Sequence, residues 1–197
     1  LLSEILKDKT LYFSLKKSSY LAAKSFLLRK NWKCIGSGVN YNLSKYSAKR
    51  LIEVMKRACA FDVLENHKHI DISAESSILI FISNIFKKGY QEDAFSEIEK
   101  LISHNNLPII FTNSEDKRFD NFVINTETES GQKDYKPVNL IRLPKISQQL
   151  SFPINVLAID IFLEEILSYS EEDNLTLREK TAIQESTKEI LVESIWQ

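Results

Sequence analysis

A chain of 197 residues with 43% hydrophobic and 27% charged content is long enough to bury a core and falls in the range of one domain. Its 26 basic and 27 acidic residues leave a formal charge of -1, which excludes a global pull toward nucleic acid or an anionic membrane, so an anionic ligand has to be held locally. The longest apolar stretches, around residues 77–83 and 156–166, fall short of a membrane span, and the N-terminus lacks the apolar core of a signal peptide. Cys34 and Cys59, set in and beside apolar runs, suit reduced buried thiols and a cytoplasmic protein rather than a disulfide framework. The first residue is Leu1 rather than Met, and residues 1–197 are read as one domain, helical at both ends, forming the C-terminal part of a longer chain.

Over residues 11–29, Leu15, Leu21, Ala22, Phe26 and Leu28 recur at helical spacing, which predicts a leading helix. The apolar run Trp32-Lys33-Cys34-Ile35 ends at Gly36 and Gly38, a buried strand closed by a tight turn. Leu43, Tyr46, Ala48, Leu51, Ile52 and Met55 then repeat at three and four, so the spacing predicts a helix over 42–58. Short apolar runs predict strands at 60–64, 77–83, 107–112 and 122–125, with a helix over 91–104 between the third and fourth strands. Residues 127–137 read as a polar loop, 138–143 as one more strand, and 147–170 and 176–195 as closing helices. Continuously apolar strands separated by crossover helices point to an α/β fold with a parallel sheet covered on both faces. No internal repeat, low-complexity tract or linker divides the chain.

In such a sheet, ligands bind beyond the carboxyl ends of the strands, where a turn and the following helix N-terminus expose backbone N–H groups. Gly36, Ser37 and Gly38 fall at that position. The glycines let a ligand approach the backbone, Ser37 adds a hydroxyl, and Asn40 and Asn42 are placed to cap the helix or bond a ligand hydroxyl. Two glycines after a strand also make a plain turn, and the third glycine of a dinucleotide fingerprint is missing at Tyr41 and Leu43. The run Glu65-Asn66-His67-Lys68-His69 follows the second strand on the same edge and packs an acid, two imidazoles and an amine into five residues. Proton transfer at a sugar carbon needs a carboxylate or imidazole near neutral pKa, and a histidine can open a sugar ring by protonating its oxygen. The same run also reads as a solvated loop, or as a His-x-His metal pair lacking a third ligand. His104 falls at a helix end, where a cation suits the dipole. Ser76, Ser77 and Ser83 flank the third strand, within reach of a phosphate or as the turn formers common at strand ends.

Taken together, Cys34-Ile35-Gly36-Ser37-Gly38, Ala48-Lys49-Arg50-Leu51-Ile52-Glu53 and His67-Lys68-His69 before the apolar 78–82 resemble the sugar isomerase (SIS) domain family. The resemblance covers about residues 30–165 and is greatest to the C-terminal isomerase half of the glutamine-fructose-6-phosphate aminotransferases. It implies a three-layer α/β sandwich around a five-stranded, mostly parallel, flavodoxin-like sheet. It also implies a phosphosugar ligand, no cofactor or metal, and a homodimer or pairing with another SIS domain. Carried over residue by residue, it implies an isomerase and aminotransferase domain, with ketose–aldose isomerisation of a phosphosugar such as fructose-6-phosphate toward glucosamine-6-phosphate, ammonia coming from a separate glutaminase domain, His69 assisting ring opening and Glu65 moving the proton. Gly36, Ser37, Gly38, Asn40 and His67 are then the substrate-binding set. A gapless count puts Asn66 where the family has its catalytic glutamate, so Glu65 takes the place only by a one-residue shift. The family's Ser-x-Ser-Gly-x-Thr phosphate loop has no counterpart, and Lys180 is the nearest residue to its lysine. A non-catalytic phosphosugar-binding or dimerisation module is the alternative reading.

Overall fold

A computed structural model describes residues 7–64, 66, 75–83, 88–127, 133–146 and 148–169. The first helix, α1 (Lys9–Phe26), starts at Asp8, whose side chain accepts from the Thr10 and Leu11 backbone N–H groups. Its buried face is Leu15, Ser19, Ala22, Ala23 and Phe26, spaced for one stripe of a 3.6-residue helix. Leu21 and Leu28, expected on that stripe, are instead 55% and 73% exposed, because they fall on the opposite side of the helix and just beyond its end.

Strand β1 (Asn31–Gly36) leads into α2 (Val39–Met55), then β2 (Cys59–Asp62), β3 (Ser76–Ile82), α3 (Lys88–Ser103) and β4 (Leu107–Thr112). A short 3-10 turn (Lys117–Asn121) and strands β5 (Val123–Glu127), β6 (Lys133–Pro137) and β7 (Asn139–Arg142) precede α4 (Gln148–Tyr169). Five strands form one sheet in the order β2-β1-β3-β4-β7, every pairing parallel. The sheet is therefore flavodoxin-like, with its order reversing between β1 and β3.

Strands β3 and β4 are buried at every position because helices cover both faces. Trp32, Cys34, Leu79, Phe81, Ile109 and Phe111 face α1, α2 and α4. Ile35, Ile78, Ile80, Ile82 and Ile110 face α3 and the 3-10 turn. Phe162 of α4 packs edge-on against Phe26 and Phe111 at 5.6 and 5.8 Å, tying the first and last described helices to the centre of the sheet. These three layers match the expected sandwich.

The sequence reading differs from the structure at the C-terminal strands. Residues 123–127 do form a strand, but it leaves the sheet and pairs antiparallel with β6, which lies in the stretch read as a loop. The β6 segment Lys133–Pro137 is polar and carries no apolar alternation, so periodicity gave no sign of it. The fifth place in the sheet belongs to β7, whose Ile141 is fully buried. Helix α2 begins three residues before the expected start, directly after Gly38. The reading of 176–195 as a helix lies outside the described residues.

Candidate functional site

The reversal of strand order opens a crevice between the carboxyl ends of β1 and β3, and the register places Gly36 opposite Phe81 at its floor. Gly36 is there for space. A Cβ on it would lie 2.6 Å from the Asn40 backbone oxygen, so only glycine lets the first turn of α2 sit this close to the strand. Gly38 is there for conformation: it is the N-cap of α2 with φ 60° and ψ -125°, a region that L side chains avoid. It offers no side-chain cap, so the positive end of the α2 dipole meets the crevice without a capping oxygen.

Ser37 is 4% exposed, and its Oγ accepts from the Leu64 backbone N–H at 3.1 Å. That bond ties the glycine turn to the chain leaving β2, where the Asn66 N–H closes a turn on the Val63 carbonyl at 3.2 Å. Glu65, His67 and His69 lie outside the described residues, but the chain enters their segment from the carboxyl end of β2, beside Ser37. Tyr41 of α2 and Phe61 of β2 stand 6.0 Å apart on this flank.

Asn40 does not cap α2, as its position after a turn had suggested. It is the second residue of the helix, 1% exposed, and its Oδ1 accepts from the Ser83 Oγ at 2.9 Å. The contact bridges α2 to the end of β3, across the crevice. The Nδ2 of the same amide is buried and has no hydrogen-bond partner among the described residues. An unsatisfied buried donor costs about 1–3 kcal/mol, a penalty that a ligand acceptor at this point would relieve. Asn42, the other capping candidate, is exposed on α2.

Ser83 had been read as a turn former, and its pairing with Asn40 is a tertiary fact that no local spacing signals. Ser76 and Ser77 sit at the amino end of β3, on the opposite edge from the crevice. The Ser76 N–H donates to Asn106 Oδ1 at 2.9 Å and the Ser77 hydroxyl to the Phe26 carbonyl at 2.8 Å. His104 follows α3, its Nδ1 2.8 Å from the Lys100 carbonyl. Cys34 and Cys59 are free and buried, their sulfurs 3.7 Å apart. Among the described residues no group of three or more His, Cys, Asp or Glu side chains could hold a metal ion, and no helix is long and apolar enough to cross a membrane.

At the same edge, beyond β4 and β7, Thr112 Oγ1 accepts from the Ser114 N–H at 3.0 Å and Ser114 Oγ from the Asp116 N–H at 3.2 Å. Asn113 and Ser114 are 5% and 2% exposed. A polar triplet directly after a buried strand was the available sequence signal for this second polar station.

No family sequence profile matches the chain, and no curated protein sequence matches it either. Solved structures do. The C-terminal domain of glucosamine-fructose-6-phosphate aminotransferase from Francisella tularensis superposes with a TM-score of 0.64 at 13% identity, over 83% of this chain and 42% of that one. The sugar isomerase domain of an RpiR transcription factor from Sphaerobacter thermophilus gives 0.55 at 6% identity, over 87% and 86%. The Vibrio vulnificus NanR protein complexed with ManNAc-6P gives 0.52 at 14% identity, over 90% and 62%. This chain thus spans less than half of the Francisella chain's length. At these identities the likeness is one of fold, and the fold is that of the sugar isomerase domains.

Proposed function

We propose, on the premise of a sugar isomerase fold, that this chain binds a phosphosugar in the crevice between β1 and β3 and interconverts its ketose and aldose forms. The observation that carries the reading is the Asn40 Nδ2, a buried donor without a partner among the described residues, beside the uncapped N-terminus of α2. Both features present positive potential to an oxygen-rich, anionic ligand. In the proposed chemistry Glu65 takes the proton from one sugar carbon and returns it to the adjacent one through an enediol, so no atoms are gained or lost. His69 protonates the ring oxygen to open the sugar, and His67 contacts the substrate. Gly36, Ser37 and Gly38 form the sugar-side surface. The ManNAc-6P bound to the similarly folded NanR protein supports a phosphosugar as the ligand class.

A second reading, a phosphosugar-sensing module without turnover, is favoured by Asn66, which stands at the place of the family glutamate in a gapless count. Homodimerisation, or pairing with another such domain, belongs to both readings. The test is thermal stabilisation of the chain by fructose-6-phosphate and glucosamine-6-phosphate beside a panel of nucleotides, since a ligand that binds the native state raises its apparent stability. A clear nucleotide shift with no sugar-phosphate shift sinks both readings. Binding accompanied by isomerisation that Glu65→Gln and His69→Asn abolish supports the enzyme. Binding without turnover leaves the module. Asn40→Ala should weaken phosphosugar binding about tenfold or more, the loss of a hydrogen bond made in a buried site.

A further inference from the structure

A second concavity, of about 370 Å³, opens on the same edge of the sheet at the ends of β4 and β7. Its walls carry three cationic side chains, Lys117, Arg142 and Lys145, against two carboxylates, Glu115 and Asp120, a formal excess of one positive charge in a chain whose total is -1. Arg142, the last residue of β7, is held in place from three sides. Its guanidinium donates to the Ser114 carbonyl, to the Asp116 carbonyl at 3.4 Å and to Asp120 Oδ1 at 2.9 Å. The Asp120 charge is thereby spent on Arg142. Lys145 pairs with Glu115 at 2.9 Å, but both side chains are well exposed, at 62% and 70%, so this ion pair is weak and open to exchange. Lys117 has no ion pair among the described residues.

We infer that this concavity is an anion subsite that takes a phosphate group, as a phosphate monoester or as free phosphate. An incoming dianion displaces Glu115 from Lys145 and recruits Lys117, so that the two lysines supply the positive charge while Arg142, already paired with Asp120, holds the shape of the wall. The buried Asn113 and Ser114 form the polar floor. The subsite also stands at a useful distance. β4 lies two strands from β1 and β7 three, about 10–15 Å at ordinary strand spacing, and the near side of that range is within reach of an extended phosphosugar. A sugar whose reacting carbons face the Gly36 turn can place its phosphate here, which supplies the grip that the missing serine-rich loop would otherwise provide. This last step rests on the phosphosugar reading of the crevice; the anion subsite itself does not.

Calorimetric titration of the chain with inorganic phosphate, glucosamine-6-phosphate and unphosphorylated glucosamine tests the inference, using Lys117→Met/Lys145→Met and Glu115→Gln. All three side chains are exposed, so each variant should keep the wild-type melting temperature. The double lysine variant should bind phosphate and glucosamine-6-phosphate about tenfold more weakly, as the loss of charge-assisted bonds predicts. Glu115→Gln should bind both about threefold more tightly, the scale of one exposed ion pair. If glucosamine-6-phosphate binds and the double variant holds its affinity within about twofold, the phosphate lies elsewhere and the subsite is overturned while the phosphosugar reading stands. If only inorganic phosphate binds, and the double variant loses it, the subsite stands and the phosphosugar reading falls. If neither phosphate-bearing probe binds, both fall.

Discussion

Replacing Gly36 with alanine adds one methyl group where the structure has room for none. The new Cβ would lie 2.6 Å from the Asn40 oxygen and 2.9 Å from the Asn40 carbonyl carbon, both backbone atoms in the first turn of α2 that no rotamer change can withdraw. Ordinary contact begins near 3.5 Å, so helix and strand must part by about 0.9 Å. β1 cannot recoil, because Gly36 is held in register against Phe81 of the fully buried β3. Overpacking of this kind costs about 1–3 kcal/mol, and a value near 2 lowers the melting temperature of a domain this size by about 4–8 °C. The sign is diagnostic. Among the described glycines only Gly38 has a positive φ, so at Gly36 an alanine would stabilise by about 0.4–1 kcal/mol if there were space for it. Urea unfolding with a fixed m-value measures the change, and titration with glucosamine-6-phosphate should show affinity falling in parallel as Asn40 is pushed from its place. A Gly36→Ala protein as stable as the wild type, or more stable, refutes the close approach of α2 to β1.

The buried contact between α2 and α4 makes a pH prediction. Burial pushes the Asp160 carboxyl above its usual 3.8, against the opposing pull of the nearby Arg50 and of the Tyr46 hydroxyl, which donates to it at 3.2 Å. The folded state holds that proton more tightly than the unfolded chain, so the stabilising contribution is full below the ordinary carboxylate pKa and lost as pH rises through the raised folded value. The stability of the wild type relative to Asp160→Asn should therefore fall as pH rises from the ordinary carboxylate range through the raised folded value, and a difference in urea midpoints that stays flat on going from acidic to neutral pH refutes the assignment. Burial, with Cys59 close by, likewise pushes the Cys34 thiol well above its ordinary range. Both cysteines should resist iodoacetamide near pH 8 in the native protein and react in denaturant, as mass spectrometry would show; native labelling at the denatured rate contradicts their burial.

The α/β class of this protein was legible in one dimension. β3 and β4 are apolar at almost every position because they are covered on both faces, and two covered faces require crossover helices, so the parallel sheet followed from burial alone. The Gly36 turn was legible there too, since strand, glycine and helix occur in immediate succession. Which strand closes the sheet was settled by packing, because β5 and β7 are both short and it is β7 that pairs with β4 and brings Ile141 into the core. The same holds within the site. Ser83 and Asn40 lie 43 positions apart in sequence, the partners that fix Arg142 against the loop after β4 lie between 22 and 28 positions from it, and no periodicity links such positions. Hydrophobic patterning is local and survives in one dimension. The polar contacts at the crevice are made between distant segments, and they exist only once the strands have been ordered.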